Sequence, residues 1–333
     1  MAILKYDELF FILKEKLLNN NFKEEPAQLC AQIFTENTFA GVASHGTNRF
    51  VSFLKLVNEG YINPNAKTSL VNSFGSWEQW DGNLGPGPVN AWNVTGRVIE
   101  LAKENGMGCV SLKNTNHWMR GGTYGWRAAE EGVILISWTN TIPIMPPWGA
   151  KEPAVGNNPF VLAVPRINGH VVLDMALSLF SFGKLSTYKH EGKELPFAGG
   201  YDSDGNLTTN PAEISATHRP LPIGYWKGSG LAILFDLIAV LLSGGKSTFE
   251  LGLGKHDSAM SQVFIAFDPQ KFNSAESIND IADNIINSVK KAEPINEGEE
   301  IYYPGERTLK TREQNLRDGV FVADVIWGRI VSF

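Results

Sequence analysis

The sequence predicts a mixed α and β protein whose sheet is not purely parallel. Two short runs rich in β-branched residues, 108–112 and 133–138, flank a helical stretch at 124–131, which is a β–α–β rhythm. Further along, Asn168 and Gly169 separate two apolar runs, and an Asn-Gly pair in that setting is typical of a β-hairpin. A hairpin is antiparallel, so the fold class is mixed α/β of the α+β kind.

The first part of the chain is predicted to be helical. Residues 6–18 and 26–41 repeat apolar side chains at three- and four-residue steps, and residues 48–57 continue the pattern. We therefore expect residues 1–65 to form a helical N-terminal segment. Residues 66–333 are expected to form the α/β body.

The second half of the chain is predicted to contain both helices and a strand. The 13-residue apolar run 230–242 contains Asp236, and a bilayer span needs roughly 20 residues, so we interpret this run as a buried core helix. A strand at 262–267 and a helix at 278–292 come next. The tail, residues 308–333, has helical spacing and is expected to dock on the body.

Composition excludes several classes of partner. The chain of 333 residues carries a net charge of −6, and its 29 Lys and Arg residues form no block, so we expect neither nucleic acid nor a membrane as a partner. Its two cysteines, Cys30 and Cys109, lie far apart and match no metal-ligand or dithiol spacing. We expect no metal site and a reducing, cytoplasmic location. The charged opening residues do not resemble a signal peptide.

A first candidate site is the sequence Ser-His-Gly-Thr-Asn-Arg at residues 44–49. It places the imidazole of His45 in a turn before a helix and the guanidinium of Arg49 on the opening turn of that helix. Imidazole can donate a proton near neutral pH, and guanidinium can hold a carboxylate. The alternative is a histidine that only caps the helix.

A second candidate is the stretch 114–122, which follows the strand expected to end near Leu112. It contains His117 and Arg120 with two Asn and two Gly residues, and ligand sites favour loops beyond strand ends. The alternative is a hydrogen-bonded connecting loop.

Two further turns carry charges. Lys227 lies within Gly-Tyr-Trp-Lys-Gly-Ser-Gly at residues 224–230, at the start of the long apolar helix, where free N–H groups favour a phosphate. The glycine fingerprint of Rossmann folds is absent there because Ile233 replaces its last glycine. The turn 304–307 carries Glu306 and Arg307, which either pair with each other or meet a nucleotide.

These stretches, together with Met-Pro-Pro-Trp-Gly at residues 145–149, resemble the malate/L-lactate dehydrogenase type II family, and the resemblance spans essentially the whole chain. It implies a non-Rossmann NAD(P)-binding fold with a largely antiparallel sheet. It also implies an NAD(P)H-dependent oxidoreductase acting on a small, acidic, sugar-derived ketone, and a homodimer.

The resemblance further implies a role for individual residues. His45 is the expected proton donor, with His117 as its rival, and Arg49 with His117 lines the substrate pocket, to which residues 1–65 contribute. The cofactor, NAD(H) or NADP(H), is expected to contact His170, Val171, Val172, Leu173, Asp174, Met175, Ala176, Trp226, Lys227, Gly305, Glu306 and Arg307.

Other functions compete with this interpretation. The family acts on several 2-oxo and 2-hydroxy acids, including malate, lactate and ureidoglycolate, so the substrate stays open. A non-catalytic sugar-acid binding protein on the same scaffold is a rival from another class. It would not need both His45 and Lys227, and both are present.

Overall fold

The computed structural model describes residues 2–254 and 256–333. The helices in these ranges are α1 (Tyr6–Asn19), α2 (Glu24–Phe39), α3 (Thr47–Asn58), α4 (Gly87–Asn105), α5 (Gly122–Glu130), α6 (Phe182–His190), α7 (Pro211–Thr217), α8 (Trp226–Ser243), α9 (Thr248–Leu253), α10 (Ala275–Lys290), α11 (Glu306–Asp318) and α12 (Asp324–Ser332). The strands are β1 (Ala2–Leu4), β2 (Ser69–Phe74), β3 (Trp77–Asp81), β4 (Met107–Asn116), β5 (Ile134–Thr139), β6 (Phe160–Val164), β7 (Val171–Met175), β8 (Gly200–Tyr201), β9 (Leu207–Thr208), β10 (Ser258–Phe267) and β11 (Val320–Val322).

The main sheet has seven strands in the order β2-β3-β4-β10-β5-β6-β7. Of its neighbouring pairs, β3 with β4 is parallel, and the others are antiparallel. The expected mixed α/β class with a largely antiparallel sheet is confirmed. The hairpin at Asn168 and Gly169 is also confirmed, because β6 and β7 pair on either side of it.

The β–α–β rhythm is present, but its two strands are not neighbours. Strand β10, which comes late in the chain, inserts between β4 and β5 and is antiparallel to both. A local pattern cannot predict this insertion, since it depends on a segment far away in sequence. The insertion brings the start of β10 beside the end of β4.

Helices cover both faces of the sheet. Helices α4 and α5 pack on one face around Trp118, Tyr124 and Phe264, whose rings lie against one another. Helix α8 packs on the other face, where Trp138 stacks on Phe235 with ring centroids 5.0 Å apart. The sheet is therefore the middle of three layers.

The N-terminal helices form a core of their own with the end of the chain. Strand β1 pairs with β11, and Val320, Val322 and Ile330 are buried in the same cluster as Leu9 and Leu13. The tail thus packs on the N-terminal helices, because β1 offers β11 an edge and α12 lies against α3. Leu309 of the same tail lies beside Gly169 of the body, so the tail contacts both parts of the chain.

The prediction that the apolar run 230–242 is a buried core helix is wrong. Helix α8 is 18 residues long and, by length and composition alone, apolar enough to cross a membrane. Only 33% of it is buried, so it is not enclosed in the core. One face packs on the sheet, and the carboxylate of Asp236 accepts hydrogen bonds from the Asn140 side chain (2.8 Å) and the Thr248 N–H (3.0 Å). The other face exposes large aliphatic side chains: Ile233, Leu234, Leu237, Ile238 and Leu241.

Candidate active site

His45 ends a short 3₁₀ turn, Ala43–His45, which leads into α3. Helix α2 fixes this turn from behind: the Asn37 side-chain amide donates to the His45 carbonyl (3.0 Å), and the Thr47 N–H donates to the Thr38 hydroxyl (3.0 Å). A side chain at Gly46 would place its Cβ 2.2 Å from the Thr38 Oγ1. Only glycine lets the turn approach α2 so closely, which explains the Ser-His-Gly sequence.

The structure brings the two candidate histidines together. His117 follows directly after β4, and its ring lies 5.6 Å from the ring of His45, with an angle of 20° between the planes. Residues 114–116 belong to β4, because Thr115 and Asn116 pair with Met260 and Ser258 of β10. The expected post-strand loop is therefore shorter and begins at His117.

The environment of His117 favours the neutral ring. Its Nδ1 accepts a hydrogen bond from the Met119 N–H (3.0 Å), so the hydrogen of the neutral ring is on Nε2. Burial lowers the pKa of His117 well below its usual value, and the charges of Arg49 and His45 lower it further. A second proton would need Nδ1 and would break the bond from Met119. His117 is consequently a neutral N–H donor.

His45 tolerates both of its protonation states. Its Nδ1 lies 3.2 Å from the hydroxyl oxygen of Ser44, and a hydroxyl can donate to a bare nitrogen or accept from an N–H. Burial lowers the pKa of His45, and the charge of Asp174 opposes that shift while Arg49 and Arg120 add to it. His45 can therefore lose and regain a proton without breaking its local contacts.

Arg49 lies on the first turn of α3 and forms an ion pair that the sequence did not reveal. Its Nη2 donates to the Oδ2 of Asp257 at 3.0 Å, and the two side chains are 39% and 19% exposed. Asp257 stands directly before Ser258, which pairs with Asn116, the residue before His117. Asp257 has no motif of its own, and only the insertion of β10 beside β4 places it at the site.

A second ion pair lies beside the histidines. The Oδ2 of Asp174 accepts a hydrogen bond from the Gly122 N–H (2.9 Å) and lies 3.7 Å from the Nε of buried Arg120. Asp174 was expected to contact the cofactor, and its charge acts on His45 as well. It therefore connects the expected nucleotide segment with the histidine pair.

Two of the expected nucleotide-contacting segments lie together. The Val172 N–H of β7 donates to the Pro304 carbonyl at 2.9 Å. Gly305 has φ +96°, and a Cβ there would lie 3.2 Å from the Val172 nitrogen and 3.1 Å from the Trp126 ring. His170 packs its ring on Trp126, with centroids 5.8 Å apart. A glycine is thus required where the turn before α11 meets β7.

Glu306 and Arg307 do not pair with each other. Glu306 is buried, where it contacts the ammonium groups of Lys290 and Lys310 (3.7 Å for Lys310) and accepts a hydrogen bond from the Tyr303 N–H. Arg307 is exposed and lies over the ring of Tyr302 at 4.2 Å. Of the two, Arg307 is the one whose charge is presented at the surface.

Trp226 and Lys227 begin α8, and both are exposed. The Ile223 N–H donates to the Leu177 carbonyl (2.8 Å), which ties the start of α8 to the chain that leaves β7. Between the described residues, no hydrogen bond or ion pair links Trp226 or Lys227 to residues 305–307. Both expected segments thus adjoin the stretch 170–177.

The donor set fits a dinucleotide. Lys227 and the positive end of the helix dipole at the start of α8 suit a phosphate, and the exposed indole of Trp226 offers a flat apolar face. Among residues 2–254 and 256–333, no group of three or more His, Cys, Asp or Glu side chains is arranged to hold a metal ion.

Comparisons with known proteins identify the family of the chain. The family model described as malate/L-lactate dehydrogenase matches residues 4–331. The 2,3-diketo-L-gulonate reductase of Klebsiella pneumoniae (strain 342) is 42% identical over 326 residues, which cover 98% of each chain. The sulfolactate dehydrogenase of Methanocaldococcus jannaschii superposes with a TM-score of 0.90 at 29% identity, over 99% of this chain and 95% of that one. The malate dehydrogenase of Pyrococcus horikoshii OT3 gives a TM-score of 0.90 at 28% identity, with the same coverage.

The fold and these comparisons thus define a dehydrogenase that lacks the Rossmann fold. The chain belongs to the malate/L-lactate dehydrogenase family. It is an oxidoreductase that acts on CH–OH groups and the corresponding ketones, and its family implies a nicotinamide cofactor.

Proposed function

We propose that this enzyme reduces 2,3-diketo-L-gulonate to 3-dehydro-L-gulonate with a reduced nicotinamide dinucleotide. The relatives that share 42% of its residues along nearly their whole length carry that activity in their names. The observation that carries the chemistry is the contrast between the two stacked histidines. His117 is held neutral as a hydrogen-bond donor, and His45 can exchange a proton.

In this proposal the bound dinucleotide supplies a hydride to the C2 ketone. His45 gives a proton to the ketone oxygen, whose negative charge develops as the carbonyl is reduced. The Nε2–H of His117 donates a hydrogen bond to the same oxygen and holds it toward His45. Arg49 binds the substrate carboxylate, since a guanidinium has five N–H donors and the contact to Asp257 uses one.

The cofactor is proposed to be NADH, with NADPH as the competing choice. Trp226 and Lys227, at the start of α8, are proposed to contact a ring and the phosphates of the cofactor. Residues 170–176 and the turn 305–307 are proposed to contact its remaining parts. Within that turn, Glu306 is proposed to act through its contact with Lys290, because it is buried, and Arg307 through its exposed charge.

The enzyme is proposed to be a cytoplasmic homodimer in which residues 1–65 contribute to the substrate site. Both cysteines are free thiols, which fits a reducing compartment. The aliphatic face of α8 supports a second copy of the chain as a partner, since exposed apolar patches of this kind mark protein interfaces. Leu237→Asp should shift the mass in solution to that of a monomer, measured by light scattering. Phe272→Asp, at an exposed position in a turn away from α8, should not.

A substrate panel tests the proposed activity. Purified enzyme is mixed with NADH or NADPH and with 2,3-diketo-L-gulonate, pyruvate, oxaloacetate or oxidised sulfolactate, and NAD(P)H absorbance is followed. We expect the largest kcat/KM with 2,3-diketo-L-gulonate and NADH. A larger kcat/KM with another 2-oxo acid would show that this acid, and not 2,3-diketo-L-gulonate, is the substrate. If the protein bound these compounds but turned over none of them, the non-catalytic alternative would be supported.

A further inference from the structure

Asp257 forms the ion pair with Arg49, but no catalytic step above uses it. It lies at the substrate end of the site, since Arg49 is on the first turn of α3, four residues after His45, and Ser258 pairs with the strand residue before His117. Its Oδ2 contacts Arg49 at 3.0 Å, and its side chain is 19% exposed. A ligand that binds to Arg49 therefore lies near the carboxylate of Asp257.

The backbone around Asp257 is fixed on both sides. The ring of His256 packs on the ring of Tyr61, with centroids 4.2 Å apart, and the Ser258 hydroxyl donates to the Tyr61 carbonyl at 3.2 Å. Ala259 follows with φ +62°, within a shift of register between β10 and β4. This local irregularity re-aims the start of β10, as β-bulges do, so the carboxylate is held at the site by structure built around it.

The charges near the histidines are balanced in pairs. Arg49 is paired with Asp257 and Arg120 with Asp174, and these guanidinium groups are the cations that lower the pKa of His45. A substrate with one carboxylate adds one negative charge, which a protonated His45 offsets. A dicarboxylate adds a second negative charge that has no such partner and lies near Asp257.

We propose that Asp257 determines substrate specificity, by repelling a second carboxylate and accepting hydrogen bonds from the hydroxyl groups of a polyhydroxy 2-oxo acid. The inference rests on the proposed function, because it concerns the substrate end of the same site. A carboxylate oxygen accepts hydrogen bonds from hydroxyl groups, and among residues 2–254 and 256–333 the hydrogen bond to Asp257 is made to its Oδ2, which leaves Oδ1 for them. One unit charge at this range changes relative affinity by roughly tenfold once solvent screening is included.

Two variants isolate the charge of Asp257. Asp257→Asn keeps the shape and removes the charge, and Asp257→Glu keeps the charge. For each we compare kcat/KM for 2,3-diketo-L-gulonate with kcat/KM for oxaloacetate. We expect Asp257→Asn to shift this ratio toward oxaloacetate by about tenfold, and Asp257→Glu to keep most of the discrimination of the native enzyme. An unchanged ratio in Asp257→Asn, or equal shifts in both variants, would overturn the proposal.

A binding measurement tests the same inference without turnover, and its first comparison needs only the native enzyme. The NADH complex is titrated with L-gulonate, which has one carboxylate and several hydroxyls, and with tartronate, which has two carboxylates. We expect L-gulonate to bind more tightly, and Asp257→Asn to narrow the difference. Tighter binding of tartronate to the native enzyme would overturn the role of Asp257. Failure of the native enzyme to reduce 2,3-diketo-L-gulonate would instead reject the proposed function.

Discussion

The rings of His45 and His117 lie 5.6 Å apart and nearly parallel, but only His45 has neighbours that accept both of its protonation states. The hydroxyl of Ser44 can reverse its hydrogen bond to His45, whereas the Met119 N–H requires a bare Nδ1 on His117. Two similar side chains thus differ in the protonation states that their hydrogen bonds allow.

The buried His117 should make the protein less stable in acid. Its pKa is lower in the folded state than in the unfolded chain, so unfolding takes up a proton once the pH falls below about 6.5, the ordinary value for histidine. Stability from this group is therefore present above that pH and is lost as the pH falls toward the folded pKa. We expect the free energy of unfolding, measured with urea, to fall between pH 7.5 and pH 5.5.

The matched control for this prediction is His117→Gln, which keeps a polar side chain but cannot be protonated. Its stability should depend less on pH over the same interval. An equal pH dependence in both proteins would show that His117 does not cause the loss.

The rate of ketone reduction should fall as the pH rises. Protonated His45 is the proposed donor, and burial lowers its pKa from the ordinary 6.5, so the protonated fraction in the free enzyme declines at a pH below that value. As the pH rises through the pKa of His45, we expect log kcat/KM for ketone reduction to decrease and the rate of alcohol oxidation to increase. A reduction rate independent of pH between 5 and 8 would contradict the donor role of His45.

The ammonium of Lys227 should contribute to nucleotide binding rather than to substrate binding. It is exposed at the start of α8, where the positive end of the helix dipole favours a phosphate. We expect Lys227→Ala to raise the dissociation constant of NADH about tenfold and to change the KM of the ketone little. Titration of NADH fluorescence measures the first effect. The control is Lys291→Ala, at an exposed position beyond α10. If both variants bind NADH equally well, Lys227 is a surface charge without a role in binding.

Removal of divalent metal ions should leave the activity intact. The described residues include no arrangement of His, Cys, Asp and Glu suited to a metal, and the proposed proton transfer uses an imidazole. Dialysis against a chelator followed by an assay with NADH tests this. Lost activity that returns on adding a divalent ion would contradict it.

Features that depend on a few neighbouring residues could be predicted from the sequence, and features that depend on distant segments could not. The hairpin at Asn168 and Gly169 was predictable, since two residues determine such a turn. The meeting of His45 and His117 came from a resemblance and not from spacing. Asp257 was missed because the insertion of β10 beside β4 brings it to the site. Helix α8 was misjudged because it is apolar on all sides, and its sequence pattern cannot distinguish a face buried in the chain from one that is exposed.

The central claim is that His45 donates the proton and His117 does not. The direct test is the single-turnover rate of NADH oxidation in His45→Gln and His117→Gln, each first shown to be folded and to bind NADH with the native dissociation constant. We expect His45→Gln to lose about 10² to 10⁴ in rate, the usual contribution of a positioned general acid. His117→Gln should lose less, because glutamine still offers an N–H to the ketone oxygen. If His45→Gln reacts at nearly the native rate while His117→Gln does not, the donor is His117 and the role assigned to His45 is wrong.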